Sequence, residues 1–416
     1  MFCVSFAGFL VIVTLHLNKT KNNKFFFVLC SVCCNFALMK LHIFNPEHDI
    51  ALAADMERFT APHAGRHMRA SLGFLPAFWA TDGDIVLVDE VEAALEAVRH
   101  MKSYAHDVMF VTVDDLRHMD DALVGDISSV EPWGWDKTLC FQLAKANPGL
   151  ARLLPSAETL AKIREMSSRR FAATNLLPQL VALDPKRLVG ESRYCSSADE
   201  VLALLQANGR SVVKAPWSCS GRGVRYVGDA LDDHAQGWLL NIIRQQGGVT
   251  VEPLYNKVYD FGLEFFAEPS GNIRYCGLSL FDTSNCAYCG SILATEADKR
   301  DMLSQYVDLQ LLDRVRDGVI EILAPHFAGV YTGPFGIDMM AVVGSGPVAG
   351  HVSSSCGFLL HPFVELNLRR TMGHVALALS PNEYEPRKVM RISFNGGKYR
   401  MRVTTTAENL LNTGLV

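Results

Sequence analysis

All 44 acidic residues of this 416-residue chain lie after position 38, and so do all of its arginines and prolines. That discontinuity constrains the fold more than any motif, because it marks where a globular body begins. Residues 1–38 hold seven of the 23 Phe and four of the 11 Cys, and their only formal side-chain charges are Lys19, Lys21 and Lys24. Three readings compete. A secretory leader over 2–17 lacks a basic start and a small-x-small cleavage site. A membrane anchor would have to use two apolar runs, each short of the roughly 20 residues that a span needs. The third reading takes 1–38 as an upstream extension, rich in the Phe, Lys, Asn and Leu that AT-rich DNA encodes, with the working chain starting at Met39. We expect the third, and with it a cytoplasmic protein.

The body from Met39 onward carries 36 basic and 44 acidic residues, a net of −8. The whole chain is 49% hydrophobic and 20% charged, which excludes a disordered or collagen-like polymer. No strongly basic stretch provides the electrostatic footprint of a nucleic-acid binder. The seven cysteines of the body are odd in number and scattered, a pattern of free thiols rather than of a disulfide framework.

Lys40–Phe44, Asp84–Asp89 and Val108–Val113 read as short apolar strands, with a helix over Val91–Met101 between the last two. Strands alternating with helices predict a small parallel α/β unit over 39–150, followed by a larger α+β part over 151–416. Helices are expected over Leu160–Leu177, Ala198–Ala207 and 297–326. Residues 211–280 are mostly strand, and strands recur at 335–343 and 361–368. The tail predicts a hairpin, Val389–Phe394 with Tyr399–Val403, turning at Asn395-Gly396-Gly397.

The strongest local feature is Val212-Val213-Lys214-Ala215-Pro216 followed by Ser218-Cys219-Ser220-Gly221-Arg222-Gly223. A lysine ending a strand before a loop of small residues suits phosphate binding: backbone N–H groups approach the oxygens and the lysine adds a point charge. An ordinary strand ending in a glycine turn is the plain alternative. A P-loop would need its lysine after the glycines, and a dinucleotide fingerprint would need a third glycine. Asp260-Phe261-Gly262 spells a kinase metal motif, but the loop and lysine stand in the wrong order and no His-Arg-Asp is present.

The second feature lies near the C-terminus. Strand alternation puts Glu365 and Asn367 on one face of Phe363–Asn367, and Asp338 stands among apolar residues in Gly336–Met339. Oxygen ligands on apolar strands are costly to bury unpaired, and Mg²⁺ with substrate phosphates would compensate them. Solvent-facing edge positions are the alternative.

Taken in order, the lysine and glycine loop, Glu252-Pro253, Asp338 and Glu365-x-Asn367 resemble the ATP-grasp superfamily of ATP-dependent carboxylate–amine ligases over roughly 155–375. The resemblance implies an ATP-grasp fold with two α+β subdomains, the central one about 155–255, preceded by the small parallel α/β domain on the substrate side. It implies ATP and Mg²⁺ (or Mn²⁺) as cofactors. Lys214, Ser218, Ser220, Gly221 and Gly223 would hold phosphate, with Arg169 in the place of the family's usual earlier lysine. Glu252 to Leu254 would form the adenine hinge and Asp260 the ribose acid. Asp338, Glu365 and Asn367 would be the metal ligands. Arg369 or Arg370 would hold the acyl phosphate or the carboxylate through a planar fork. The implied partners are a small carboxylate and an amine or peptide-like substrate, with neither nucleic acid nor, residues 1–38 aside, membrane. A catalytically inactive ATP-binding regulatory module is the alternative of another class.

Substrate contacts are expected from Asn45-Pro46-Glu47-His48-Asp49, which follows a strand, and from Arg66, His67 and Arg69, if these are more than a polar helix face. Trp133-Gly134-Trp135-Asp136-Lys137 reads as a subdomain contact. Cys286-x-x-Cys289 is half of a zinc site at most, and Asp282–Gly290 reads as a mobile loop over the site.

Overall fold

The computed structural model describes residues 39–218, 223–228, 230–284, 287–344 and 357–405, and the backbone of four short strands before residue 29. Three sheets organise the described residues from Met39 onward. The first is parallel and built from β1 (Met39–Ile43), β2 (Ile85–Leu87), β3 (Met109–Val111) and β4 (Ile127–Pro132), in the order β3-β2-β1-β4. The chain builds outward from β1 to β3 and then returns to the other side of β1. Such a reversal opens a crevice beyond the carboxyl ends of the strands. Helix α1 (His48–Ala54) leaves the end of β1 there, and α2 (His63–Leu72) follows. Helix α3 (Val91–Arg99) lies between β2 and β3, as the composition predicts, and α4 (Lys137–Ala146) follows β4. Strand β4 itself is not predicted: Ser128, Ser129 and Glu131 hide its apolar alternation.

The predicted helix over Leu160–Leu177 is two helices, α5 (Ala157–Met166) and α6 (Arg169–Asn175). Ser168 breaks the run: it is extended, and its Oγ accepts from the Phe171 amide as the cap of α6. The next sheet is antiparallel and contains β5 (Arg193–Cys195), β6 (Ser211–Lys214), β7 (Val224–Val227) and β8 (Val249–Pro253), in the order β7-β6-β8-β5. Helices α7 (Ala198–Asn208) and α8 (Asp233–Gln246) pack on it around Val201, Leu205, Leu239 and Ile242.

The third sheet has seven strands. They are β9 (Lys257–Ala267), β10 (Ile273–Ser284), β11 (Ala287–Leu293), β12 (Gly333–Val343), β13 (Phe358–Asn367), β14 (Lys388–Phe394) and β15 (Tyr399–Thr405), in the order β13-β12-β9-β10-β11-β14-β15. The helical stretch predicted at 297–326 is also two helices, α9 (Glu296–Leu303) and α10 (Leu309–Phe327), and α11 (Met372–Leu379) precedes the final hairpin. Asp282, Thr283, Tyr288, Cys289 and Gly290 belong to β10 and β11, so the predicted mobile loop is a strand pair.

Alternation decides which side of this sheet is core. Phe261, Leu263, Phe265, Phe335, Ile337, Met339, Leu366 and Leu368 pack with α5, α6 and α10 in one cluster. The opposite face is left for polar residues. A second cluster joins Phe44, Leu72 and Val86 of the first domain to Leu293, Val375 and Met390 near the end of the chain. The parallel domain is thereby packed against the large sheet, close to that polar face. The fold class is the expected one, α/β with α+β architecture after residue 150.

Candidate functional site

The site is written on the face opposite the core. Gly262 and Glu264 of β9, Gly336 and Asp338 of β12, and Glu365 and Asn367 of β13 share it. The register sets Asp338 opposite Gly262 on one side and opposite Glu365 on the other. Asn367 donates its amide to Asp338 Oδ2 at 3.1 Å. Glu264 sits at the back of the cluster, where it accepts from Thr371 Oγ1 at 2.7 Å and meets His374 Nδ1 at 3.0 Å. The absence of a side chain at Gly336 makes room, since a Cβ there would come within 2.6 Å of Glu264 Oε2.

This is a concentration of negative charge. Asp338 retains some exposed surface but is densely surrounded. Its desolvation, then the Glu365 and Glu264 carboxylates, push its pKa up to about 8. Among the described residues, no cation pairs with it. Glu365 does have one, because Arg169 Nη2 donates to its Oε1 at 2.5 Å.

Arg169 comes from the start of α6, where the Ser168 break places it. Its other terminal nitrogen donates to the Ala215 carbonyl at 2.6 Å and to Ser218 Oγ at 2.8 Å. One guanidinium therefore bridges the glycine loop and the acidic face. Lys214, at the end of β6, is buried and pairs with Glu252 Oε2 of β8 at 2.6 Å. The loop closes on itself: Ala215 donates to the Gly223 carbonyl at 2.8 Å, and a Cβ at Gly223 would collide with the Ser218 side chain. Ser220 and Gly221 lie outside the described residues. The hinge expectation meets a constraint. The Leu254 amide already donates to the Arg210 carbonyl at 2.9 Å, so its own carbonyl is what remains to meet a base. Asp260, on the same side of β9 as Glu264, pairs with Lys257 and accepts from Thr283 Oγ1 at 3.4 Å. Between the two sheets stands His361, buried, with neither ring nitrogen bonded. Burial and the Lys214 charge lower its pKa to about 3, so it is neutral.

The two arginines after β13 diverge. Arg369 reaches into the first domain, where Nε and Nη2 grip Asp49 of α1 at 3.0–3.1 Å. Nη2 also donates to Asn367 Oδ1 at 2.9 Å, and Nη1 donates to the Arg370 carbonyl at 3.1 Å. Of its five N–H groups, one is left. Burial alone would raise the Asp49 pKa; Arg369, chiefly, brings it below the ordinary carboxylate value. Arg370 instead lies over the Trp79 ring, 4.4 Å from its centroid, and its amide donates to the Trp133 carbonyl at 2.7 Å. Burial lowers its pKa to about 10.

One residue of this arrangement escaped the sequence reading: Glu264 was within reach, because the alternation that places Asp260 and Gly262 continues to it. Asp49 belongs to the run expected to contact substrate, and its carboxylate is held by Arg369. Asn45 and Asp136, at the ends of β1 and β4, bond each other at 3.2 Å, so the two singled-out runs meet inside the first domain. His67 lies against His63 within α2, with 4.1 Å between centroids and the rings tilted by 39°. Among the described residues, no group of three His, Cys, Asp or Glu forms a ready-made metal cage, and no helix is long and apolar enough to cross a membrane. Cys286 lies outside them.

No family model matches this chain, and no curated protein matches its sequence. It is similar to solved structures at low identity. The ADP complex of N5-carboxyaminoimidazole synthetase from Staphylococcus aureus is 11% identical over 86% of this chain and 82% of that one, with a TM-score of 0.44. A biotin carboxylase complex from Campylobacter jejuni is 12% identical over 86% and 76%, with a TM-score of 0.43. A putative ATP-grasp superfamily protein from Archaeoglobus fulgidus is 14% identical over 88% and 99%, with a TM-score of 0.38.

Proposed function

We propose that this chain is an ATP-grasp ligase, dependent on ATP and Mg²⁺, that activates a carboxylate as an acyl phosphate for attack by an amine or similar nucleophile. The observation that carries the reading is the acidic face. Asp338, Glu365 and Asn367 converge on two paired strands, tied through Arg169 to a lysine-and-glycine phosphate loop.

The donor set fits Mg²⁺. All the ligands are hard oxygens, and Asp338, beside the Glu365 and Glu264 carboxylates, makes no ion pair of its own among the described residues. An amide oxygen has two lone pairs, so Asn367 Oδ1 can serve a metal beside Arg369. Mg²⁺ there would neutralise charge between the two terminal phosphates of ATP, the role for which one or two carboxylates plus substrate phosphates suffice.

The chain's own residues do the rest. Lys214 and Arg169 neutralise phosphate oxygens, exchanging their bonds to Glu252 and Glu365 for bonds to substrate. The γ-phosphoryl group passes to a carboxylate oxygen, leaving ADP. The nucleophile then adds to the acyl carbon and inorganic phosphate departs. Such a transfer needs alignment and charge neutralisation rather than a protein nucleophile. Arg370 forms no hydrogen bond through its guanidinium among the described residues, and it takes the role of holding the carboxylate or acyl phosphate. Arg369 is largely committed to Asp49 and Asn367 and acts as a positioning residue.

The test is thermal melting of the 39–416 chain with ATP, with and without Mg²⁺, beside Lys214→Ala and Asp338→Ala. A ligand at 100 times its Kd adds about 2.7 kcal/mol. A Mg²⁺-dependent upward shift in wild type, lost in both variants, is expected. A folded wild type indifferent to ATP would sink the reading.

A further inference from the structure

One buried carboxylate oxygen in the first domain has no partner. Glu47, the residue that opens α1, is 8% exposed; its Oε1 pairs with Arg69 while its Oε2 has no hydrogen-bond partner among the described residues. Burial raises its pKa, and Arg69 opposes that only in part. A buried polar atom left unsatisfied is costly, so it calls for an explanation.

Glu47 lines a cavity of about 200 Å³ in the crevice beyond β1 and β2. That volume is below the roughly 300–1,000 Å³ of pockets for drug-sized ligands, and suits a small metabolite. The other polar groups deep in it are committed. Asn45 donates to the Gly134 carbonyl and to Asp136, and Asp136 also caps the Leu139 amide. Arg69 is shared between Glu47 and Asp89. Apolar walls come from Phe44, Ala51, Ala61 and Leu139. At the rim stands Arg66, exposed and with no ion pair among the described residues. The cavity is therefore lined by an acid whose second oxygen is buried and unpartnered among the described residues, by apolar walls, and by a cation at its mouth.

We propose that this cavity binds an amino acid, its ammonium group on Glu47 Oε2 and its carboxylate on Arg66. An ammonium group satisfies the orphan oxygen and completes its charge balance. A carboxylate at the rim meets the planar fork of an arginine. The location favours a substrate over an ornament. Asp49, two residues beyond Glu47, grips Arg369, which holds Asn367. Binding stands independently of the nucleotide site; only the ligand's role as one of the two joined molecules rests on the ligase reading.

The test is calorimetric titration of the full-length chain with the twenty common amino acids, β-alanine and γ-aminobutyrate, with butylamine and butyrate as single-charge controls. At least one amino acid should bind saturably and tenfold or more tighter than either control. Glu47→Gln and Arg66→Ala should each weaken it tenfold or more. ATP with Mg²⁺, titrated into the same proteins, should bind all three alike. Arg66 is exposed, so its variant tests the idea even if Glu47→Gln fails to fold. Amino-acid binding without ATP binding would uphold this proposal and remove the ligase reading. Wild type that binds no amino acid, or one that Arg66→Ala leaves unchanged, overturns it.

Discussion

The polar face of the seven-stranded sheet and the rim of the parallel sheet each hold a densely surrounded aspartate, and the two titrate in opposite directions. Burial first, and then its carboxylate neighbours, drive Asp338 up to about 8; Asp49 has Arg369 and is held below the ordinary value. Surroundings of similar density thus yield opposite directions, because partners add to burial at Asp338 and overcome it at Asp49. The rim carries its own counter-ion. On the sheet face, Asp338 makes no ion pair among the described residues and accepts only from the Asn367 amide.

The largest effect that would break this contrast is on turnover. Asp338→Asn should lower ATP-dependent ADP release by about 10²–10³-fold, the usual scale for removing one group that stabilises developing charge. The same substitution should stabilise the metal-free protein. Because the folded pKa of Asp338 is raised, the native state binds more protons than the unfolded one between about pH 4 and 8. Wild-type stability should therefore fall as pH rises through that window, and Asp338→Asn should flatten the fall. Melting curves from pH 5 to 8, repeated with Mg²⁺, would decide it; a wild-type curve that rises with pH refutes the charge assignment.

Asp49→Asn attacks the other half. It leaves Arg369 without its counter-ion in a site about a fifth exposed, at a cost of about 2 kcal/mol, less than for a fully enclosed pair. Denaturant melts measure that cost, and kinetics should show kcat reduced more than the KM for ATP if Arg369 positions Asn367. Gly223→Ala should destabilise by about 1–3 kcal/mol through collision with Ser218, and weaken ATP binding with it. The smallest expected change is in Glu264→Gln. With one of its two carboxylate neighbours gone, Asp338 should titrate at a lower pH, seen as a downward move of the pH window in the same melts.

Much of the architecture was legible in period-two alternation. It places β9, β12 and β13 and puts Asp338, Glu365 and Asn367 on the side away from Phe335, Ile337 and Leu366. What was not legible depends on single residues overriding a pattern. Ser168 ends a helical run because its hydroxyl serves the Phe171 amide better as a cap than as a helical side chain. β4 was missed because both of its serines look like loop. The Arg369–Asp49 pair has no sequence signal, since nothing local connects positions 320 residues apart.

That separation bears on how the molecule is finished. Arg369 lies near the C-terminal end of the described chain and its partner near the start of the body. The pair exists only where the first domain is docked on the large sheet. A nicked or half-assembled chain could keep its glycine loop and still leave Asn367 unguided. The position of Asn367 would then report on the integrity of the entire body.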